Sequence, residues 1–131
     1  LTEAFEALQD CYARVGKVTR AEEGAADARF HLAIAEASHN AVLLHTIRAL
    51  FDLLKRNVLT NIGGMYAQRS ETREMLMQQH GELYAAIIDG QAELARQISN
   101  RHIDYVQEVL ADVQLEAQRL ARAQRRVAVK P

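Results

Sequence analysis

Four ionisable residues on the predicted inner faces of three helices have the types and spacing of a metal-binding site. Asp27 and His31 are four residues apart, so they lie one turn apart on the same face of a helix. The other two, His80 and His102, each interrupt an apolar row at helical spacing. The row of His80 contains Leu76, Leu83 and Ile87, and the row of His102 contains Leu94, Ile98, Tyr105 and Val109. Burying such groups costs several kcal/mol unless they are paired or bind a metal. A divalent cation held by neutral imidazoles and one carboxylate would satisfy all four.

Each of these residues also has an ordinary structural explanation. A histidine on an inner face can be a hydrogen-bonded core residue, and Asp27 with His31 can form an ion pair on a helix surface. The positions alone therefore leave a metal site and a metal-free core open. His39 lies in a predicted turn and His45 lies beside an apolar stripe, so we expect neither to be a ligand.

The elements that position these residues are predicted to be helices. The 131 residues include six Gly and one Pro, the terminal Pro131, while good helix formers such as Ala, Leu, Glu, Gln and Arg are abundant. Apolar periodicity predicts five helices over about residues 2–15, 20–38, 41–61, 70–89 and 91–125. We expect Gly63-Gly64 to end the third helix, Ser70 to cap the fourth and Asp89-Gly90 to end it. Short connections favour an antiparallel helical bundle.

Composition and charge narrow the class of protein. The length suits one domain, and a hydrophobic fraction of 49% with 25% charged residues is typical of globular proteins. We expect no membrane span and no signal peptide, because no apolar run approaches about 20 residues. A net charge of -1 gives no overall attraction to DNA. The single Cys11 favours a cytoplasmic location.

The two ends of the sequence carry separate expectations. The sequence opens without Met inside a helical pattern, which predicts a piece of a longer chain. The segment from about residue 119 is basic and predicts either a solvated helix end, where the dipole favours cations, or a contact with nucleic acid. Its basic residues are Arg119, Arg122, Arg125, Arg126 and Lys130.

Two sequence blocks carry a family resemblance. Residues 27–40, DARFHLAIAEASHN, match the pattern D-x-x-F-H-x-x-I-A-x-A-S-x-N, and residues 79–90, QHGELYAAIIDG, are similar to E-H-x-x-I-x-x-A-I-x-x-G-D. Together they resemble the FadR-type C-terminal (FCD) domain of GntR-family bacterial transcription regulators, with similarity up to about residue 113. Gln79 replaces a common Glu and Gln91 a common Asp, both outside the ligand set.

The resemblance implies that residues 1–131 form an all-α FCD sensor domain, truncated at its N-terminus. On this resemblance we expect the family's first FCD helix and its winged helix-turn-helix domain to lie outside this sequence. The implied metal ligands are Asp27, His31, His80 and His102, and the implied cofactor is one divalent ion, zinc or nickel, with manganese or iron as alternatives. Residues 42–66 are most similar to the lactate- and pyruvate-responsive branch.

The expected function is sensing without catalysis. A six-coordinate ion with four protein ligands would leave two positions for a 2-hydroxy- or 2-oxocarboxylate, with L-lactate the first choice and pyruvate or glycolate the alternatives. We expect a cytoplasmic homodimer that contacts DNA only through the separate winged domain. A mononuclear metalloenzyme and a metal-free interaction bundle stay open as other classes. Candidate effector contacts, each otherwise a solvated polar residue, are Arg48, Arg56, Asn40 and Asn61.

Overall fold

The protein is described by a computed structural model over residues 1–14, 16–69 and 71–128. These residues form five helices and, within those ranges, no strand, so the predicted all-α class is confirmed. No helix in this part of the chain is both long and apolar enough to cross a membrane. Ser70 and Lys130 lie outside the described residues, as does the side chain of Arg126. The helices are α1 (Thr2–Ala13), α2 (Arg20–Ala37), α3 (Ala41–Gln68), α4 (Thr72–Ile88) and α5 (Ala92–Ala128).

The chain divides into two compact units, Leu1–Gly63 and Gly64–Pro131. In the first unit α1 packs on α2, where Leu8 and Phe30 are fully buried and the rings of Phe5 and Phe30 lie 5.6 Å apart.

In the second unit α4 packs on α5. Its core is formed by Met65, Leu76 and Val109, with Tyr105 and Val106 packed against it. Each unit therefore contains one helix pair with an apolar interior.

The prediction that Gly63-Gly64 ends the third helix is wrong, because α3 continues to Gln68. A Cβ at Gly64 would lie 3.1 Å from Cγ1 of Val113 on α5. A Cβ at Gly63 would lie 2.7 Å from Nη1 of Arg20 on α2. Gly64 thus allows Val113 to approach the backbone of α3 closely, which offsets the cost of about 1 kcal/mol of a glycine inside a helix, whereas the contact at Gly63 is with the movable end of a side chain.

Helix α4 ends as the sequence predicts. Gly90 has φ +69°, and its N–H donates to the carbonyl of Ile87 at 3.1 Å, while the N–H of Gln91 donates to the carbonyl of Ala86 at 2.8 Å. This is a Schellman motif, which satisfies carbonyls that the helix end would otherwise leave without partners. At the other end α4 begins at Thr72 with Glu71 as its N-cap.

The turn predicted at His39 is confirmed, with this residue in the left-handed region at φ 53°. Ser38 Oγ donates to the carbonyl of Ala35 at 2.7 Å, and Oδ1 of Asn40 accepts from the N–H of Leu43 at 3.0 Å. Asn40 therefore caps α3.

The two adjacent glycines of α3 should respond differently to alanine. Gly63→Ala should raise stability by about 0.5–1 kcal/mol, because alanine favours the helix and the flexible end of Arg20 can move away. Gly64→Ala should lower stability relative to Gly63→Ala, because Val113 is branched and packs against the core. Urea unfolding of both variants checks this, and adding Val113→Ala should reduce the difference. Equal effects of the two alanines would contradict the packing explanation.

Candidate metal centre

The start of α2 is fixed by a capping box, which sets the phase of its polar residues. The backbone N–H of Glu22 donates to Oγ1 of Thr19 at 3.2 Å, and the backbone N–H of Thr19 donates to Oε2 of Glu22 at 2.7 Å. These bonds satisfy donors that the first turn leaves without intrahelical partners. From this start, Glu23, Asp27 and His31 follow at intervals of four residues along one face.

Asp27 and His31 are brought together as the spacing predicts. Nε2 of His31 lies 3.9 Å from Oδ2 of Asp27, and Asp27 is 8% exposed. Burial raises the pKa of Asp27 to about 7, and the nearby charge of Glu23 adds to this rise. Burial also lowers the pKa of His31 to about 4, so His31 is neutral at physiological pH. Asp27 and His31 therefore do not form the ion pair on a helix surface that was the alternative explanation of their spacing.

The second unit brings His80 and His102 together from different helices. His80 on α4 is 1% exposed, His102 on α5 is 7% exposed, and their ring centroids lie 4.7 Å apart. In the same helix pair, the hydroxyl of Tyr105 donates to Oγ1 of the fully buried Thr72 at 3.2 Å, which ties α5 to the start of α4. The packing of α4 on α5 thus brings two of the predicted ligands side by side.

Gln79 contacts one of the predicted ligands directly. It is 4% exposed, and its Oε1 lies 3.0 Å from Nδ1 of His102. Because an amide oxygen can only accept, the hydrogen lies on Nδ1 of His102. The remaining nitrogen, Nε2, then carries a lone pair that can bind a metal.

The structure thus places the four predicted ligands in two pairs, Asp27 with His31 in the first unit and His80 with His102 in the second. Sequence reasoning missed two buried polar neighbours, Glu23 and Gln79. Glu23 could have been found, since it lies four residues before Asp27. Gln79 had no comparable signal, because its partner is on another helix.

The candidate effector contacts all lie in the first unit. Arg48 is exposed and pairs with Glu36 at 3.4 Å, while Nε of Arg56 donates to the carbonyl of Asp52 at 3.3 Å. The cap that Asn40 makes on α3 gives this residue a structural role. Asn61 is partly buried on α3. Their role towards an effector stays a prediction.

Comparison with known proteins identifies the domain. A family model described as the FCD domain matches residues 1–105. The Glc operon transcriptional activator of Escherichia coli K12 is 28% identical over 123 residues, covering 94% of this chain and 48% of the activator. The "Putative L-lactate dehydrogenase operon regulatory protein" of the same organism is 44% identical over 81 residues, covering 62% of this chain and 31% of that protein.

The HTH-type transcriptional regulator LutR of Bacillus subtilis is 28% identical over 113 residues, which cover 84% of this chain and 52% of LutR. The chain therefore spans about half the length of the activator and of LutR. No solved structure gives a significant match. All three names are those of regulatory proteins and none is that of an enzyme, which favours the regulatory expectation over the metalloenzyme alternative.

The metal-free chain should show two opposing dependences of stability on pH. Below about pH 6.5 unfolded His31 binds a proton that the folded state excludes down to about pH 4, so its contribution makes stability rise with pH. Between about pH 4 and 7 folded Asp27 keeps a proton that the unfolded chain releases, so its contribution makes stability fall with pH.

Single substitutions should separate these contributions. Both variants are compared with the parent in a chelating buffer. Between pH 4 and 6.5 the free energy of unfolding of Asp27→Asn should increase more than that of the parent. Between pH 4 and 7 the free energy of unfolding of His31→Gln should decrease relative to that of the parent. Urea unfolding at half-unit pH intervals measures both slopes. Parallel pH profiles for the two variants would show that burial does not shift these groups as described.

Proposed function

The chain belongs to the FCD domain family, and on that basis we propose that it is the effector-binding domain of a bacterial transcription regulator. In this proposal Asp27, His31, His80 and His102 hold one divalent ion, with zinc or nickel preferred. The ion and neighbouring residues bind a small hydroxy- or oxo-carboxylate, with L-lactate the first choice. The observation that carries the proposal is that the buried carboxylate of Asp27 lies beside the partly buried His31, and the buried rings of His80 and His102 lie side by side.

The donor set suits a divalent ion of this type. Imidazole nitrogens and one carboxylate are ligands of zinc and nickel, and ligands must be unprotonated to bind. Loss of contact with water keeps His31 neutral, and the contact of His102 Nδ1 with the amide oxygen of Gln79 favours a proton on Nδ1. Asp27 has to release a proton near neutrality to bind a metal, so metal affinity should increase with pH across about pH 7.

A bound ion would supply positive charge and open coordination positions for a carboxylate. We prefer L-lactate because one relative's name refers to L-lactate dehydrogenase; pyruvate and glycolate are the alternatives. Arg48 and Arg56 are the proposed partners of the effector carboxylate, since a guanidinium can bind it with two hydrogen bonds. Asn40 and Asn61 are retained as weaker candidates.

All three relatives are longer than this chain. We propose that a winged helix-turn-helix domain binds DNA, that the regulator is a homodimer, and that effector binding shifts its equilibrium between two states of different DNA affinity. This chain itself performs no reaction in the proposal.

The first test is metal stoichiometry. Purified chain, stripped with a chelator and titrated with zinc or nickel by calorimetry, should bind one ion. His31→Ala and His102→Ala, one from each unit, should each weaken that binding at least tenfold, because each removes a ligand of the same ion. His45→Ala removes an exposed histidine and should bind as the parent does.

Two results would reject the shared site. Retention of full metal affinity in either His31→Ala or His102→Ala would mean that the two pairs do not act together. Absence of any bound zinc or nickel in the parent chain would favour the metal-free interaction bundle.

The second test is effector binding. The metal-loaded chain should bind L-lactate, pyruvate or glycolate, and the chelated chain should bind none of them, because the ion supplies the main attraction. Arg56→Gln and Arg48→Gln should weaken binding by about tenfold if either guanidinium contacts the carboxylate. Acetate is the matched control ligand, because it lacks the hydroxyl or oxo oxygen next to the carboxylate. The difference in affinity measured by calorimetry gives the contribution of chelation. No binding of any of the three acids by metal-loaded protein would reject the sensing proposal.

A further inference from the structure

We propose that Gln79 is a positioning residue of this centre, which holds His102 as the neutral Nδ1–H tautomer without placing a second negative charge beside the ion. The consequence for effector binding rests on the proposed function, whereas the tautomer itself can be measured without metal. The inference concerns a residue outside the ligand set, on the same helix as His80.

The hydrogen bond between Gln79 and His102 determines which ring nitrogen is available. Gln79 is 4% exposed and His102 is 7% exposed, so water competes little for this bond of 3.0 Å. A free imidazole exchanges between two neutral tautomers, and a buried acceptor at Nδ1 selects one of them. With the proton on Nδ1, Nε2 is the ring nitrogen that carries the lone pair for a metal.

Gln79 supplies this acceptor as a neutral group. A carboxylate at the same position would also accept from Nδ1, but it would add a negative charge and favour the protonated ring. A divalent ion with Asp27 as its single charged ligand keeps a net charge of +1. That charge attracts a carboxylate with one negative charge, and an acidic residue 79 would cancel it.

The surroundings of Gln79 would not neutralise an added charge. Gln79 lies in the wall of an open groove of about 630 Å³ between α4 and α5, which also contains Arg96 and Arg101. Arg96 binds Glu93 at 2.6 Å, and Arg101 binds Glu82. Because both guanidinium groups already have acidic partners, a carboxylate at position 79 would affect the charge felt at His102.

The first experiment measures the tautomer in the chelated chain. Long-range ¹⁵N–¹H correlation spectra at pH 8 should show His102 protonated on Nδ1 in the parent. Gln79→Met, which keeps the length but removes the acceptor, should shift His102 towards the Nε2–H form. Gln79→Glu, which keeps an acceptor, should preserve the proton on Nδ1. If the Met variant does not fold, Gln79→Leu, which also lacks an acceptor, takes its place.

An Nε2–H form of His102 in the parent would overturn the assignment, and so would an unchanged tautomer in a folded Gln79→Met variant. This measurement needs no metal. If the parent binds neither zinc nor nickel, the proposed function fails while the role of Gln79 is still decided by the spectra.

The second experiment measures the consequence of charge. Gln79→Glu should bind zinc at least as tightly as the parent, whereas its affinity for L-lactate should fall by about tenfold, because the net charge of the loaded centre drops from about +1 to zero. Gln79→Met should instead weaken zinc binding by about 10- to 100-fold. Gln107→Glu adds the same charge at an exposed position on α5 and should leave both affinities unchanged.

A residue that only packs against its neighbours would give a different pattern. Gln79→Met and Gln79→Glu would then alter zinc and lactate affinities in parallel, together with the unfolding midpoint. Parallel changes of this kind would overturn the proposal.

Discussion

The constraint on which the candidate site depends is the free-energy cost of holding ionisable side chains away from water. Asp27, His80 and His102 are nearly inaccessible, and burial also governs the protonation of His31. Such groups are stable inside a protein only when they are neutral, hydrogen-bonded or bound to a metal. Burial shifts the pKa values of Asp27 and His31 towards their neutral forms, which lowers the free-energy cost of burying them. A bound metal ion would offset the remaining cost by coordinating these groups.

The helix pairs are built so that these groups keep their positions. In the first unit the capping box of α2 fixes where the helix begins, and hence which face carries Asp27 and His31. In the second unit Arg69 joins the chain between α3 and α4 to α5, because it binds Glu108 at 2.8 Å and Asp112 at 2.5 Å. Both carboxylates raise the pKa of Arg69 above its ordinary range, so this connection keeps its charge at any physiological pH.

The sequence predicted what depends on local periodicity and failed where a contact between helices decides. Spacing alone placed Asp27 beside His31 and gave the Schellman end of α4 at Gly90. It could not predict that Gly64 serves packing against Val113, since a glycine signals a helix end and a close contact equally well. Gln79 was missed for the same reason, because its partner His102 is brought to it only by the packing of α4 on α5. The ion and the effector depend on chemistry that spacing can only suggest.

The length of α5 has a mechanical consequence. At 1.5 Å per residue its 37 residues extend about 55 Å, whereas the 17 residues of α4 extend about 26 Å. Beyond Val113 the apolar Leu115 and Leu120 are exposed, so the last third of α5 projects past the core of its unit. Because α5 is one continuous helix, a change in the tilt of its packed part also moves its far end. A tilt of about 10° at the packed end would move a tip about 20 Å away by roughly 3–4 Å, so a small repacking around His102 would be magnified at the far end of the rod.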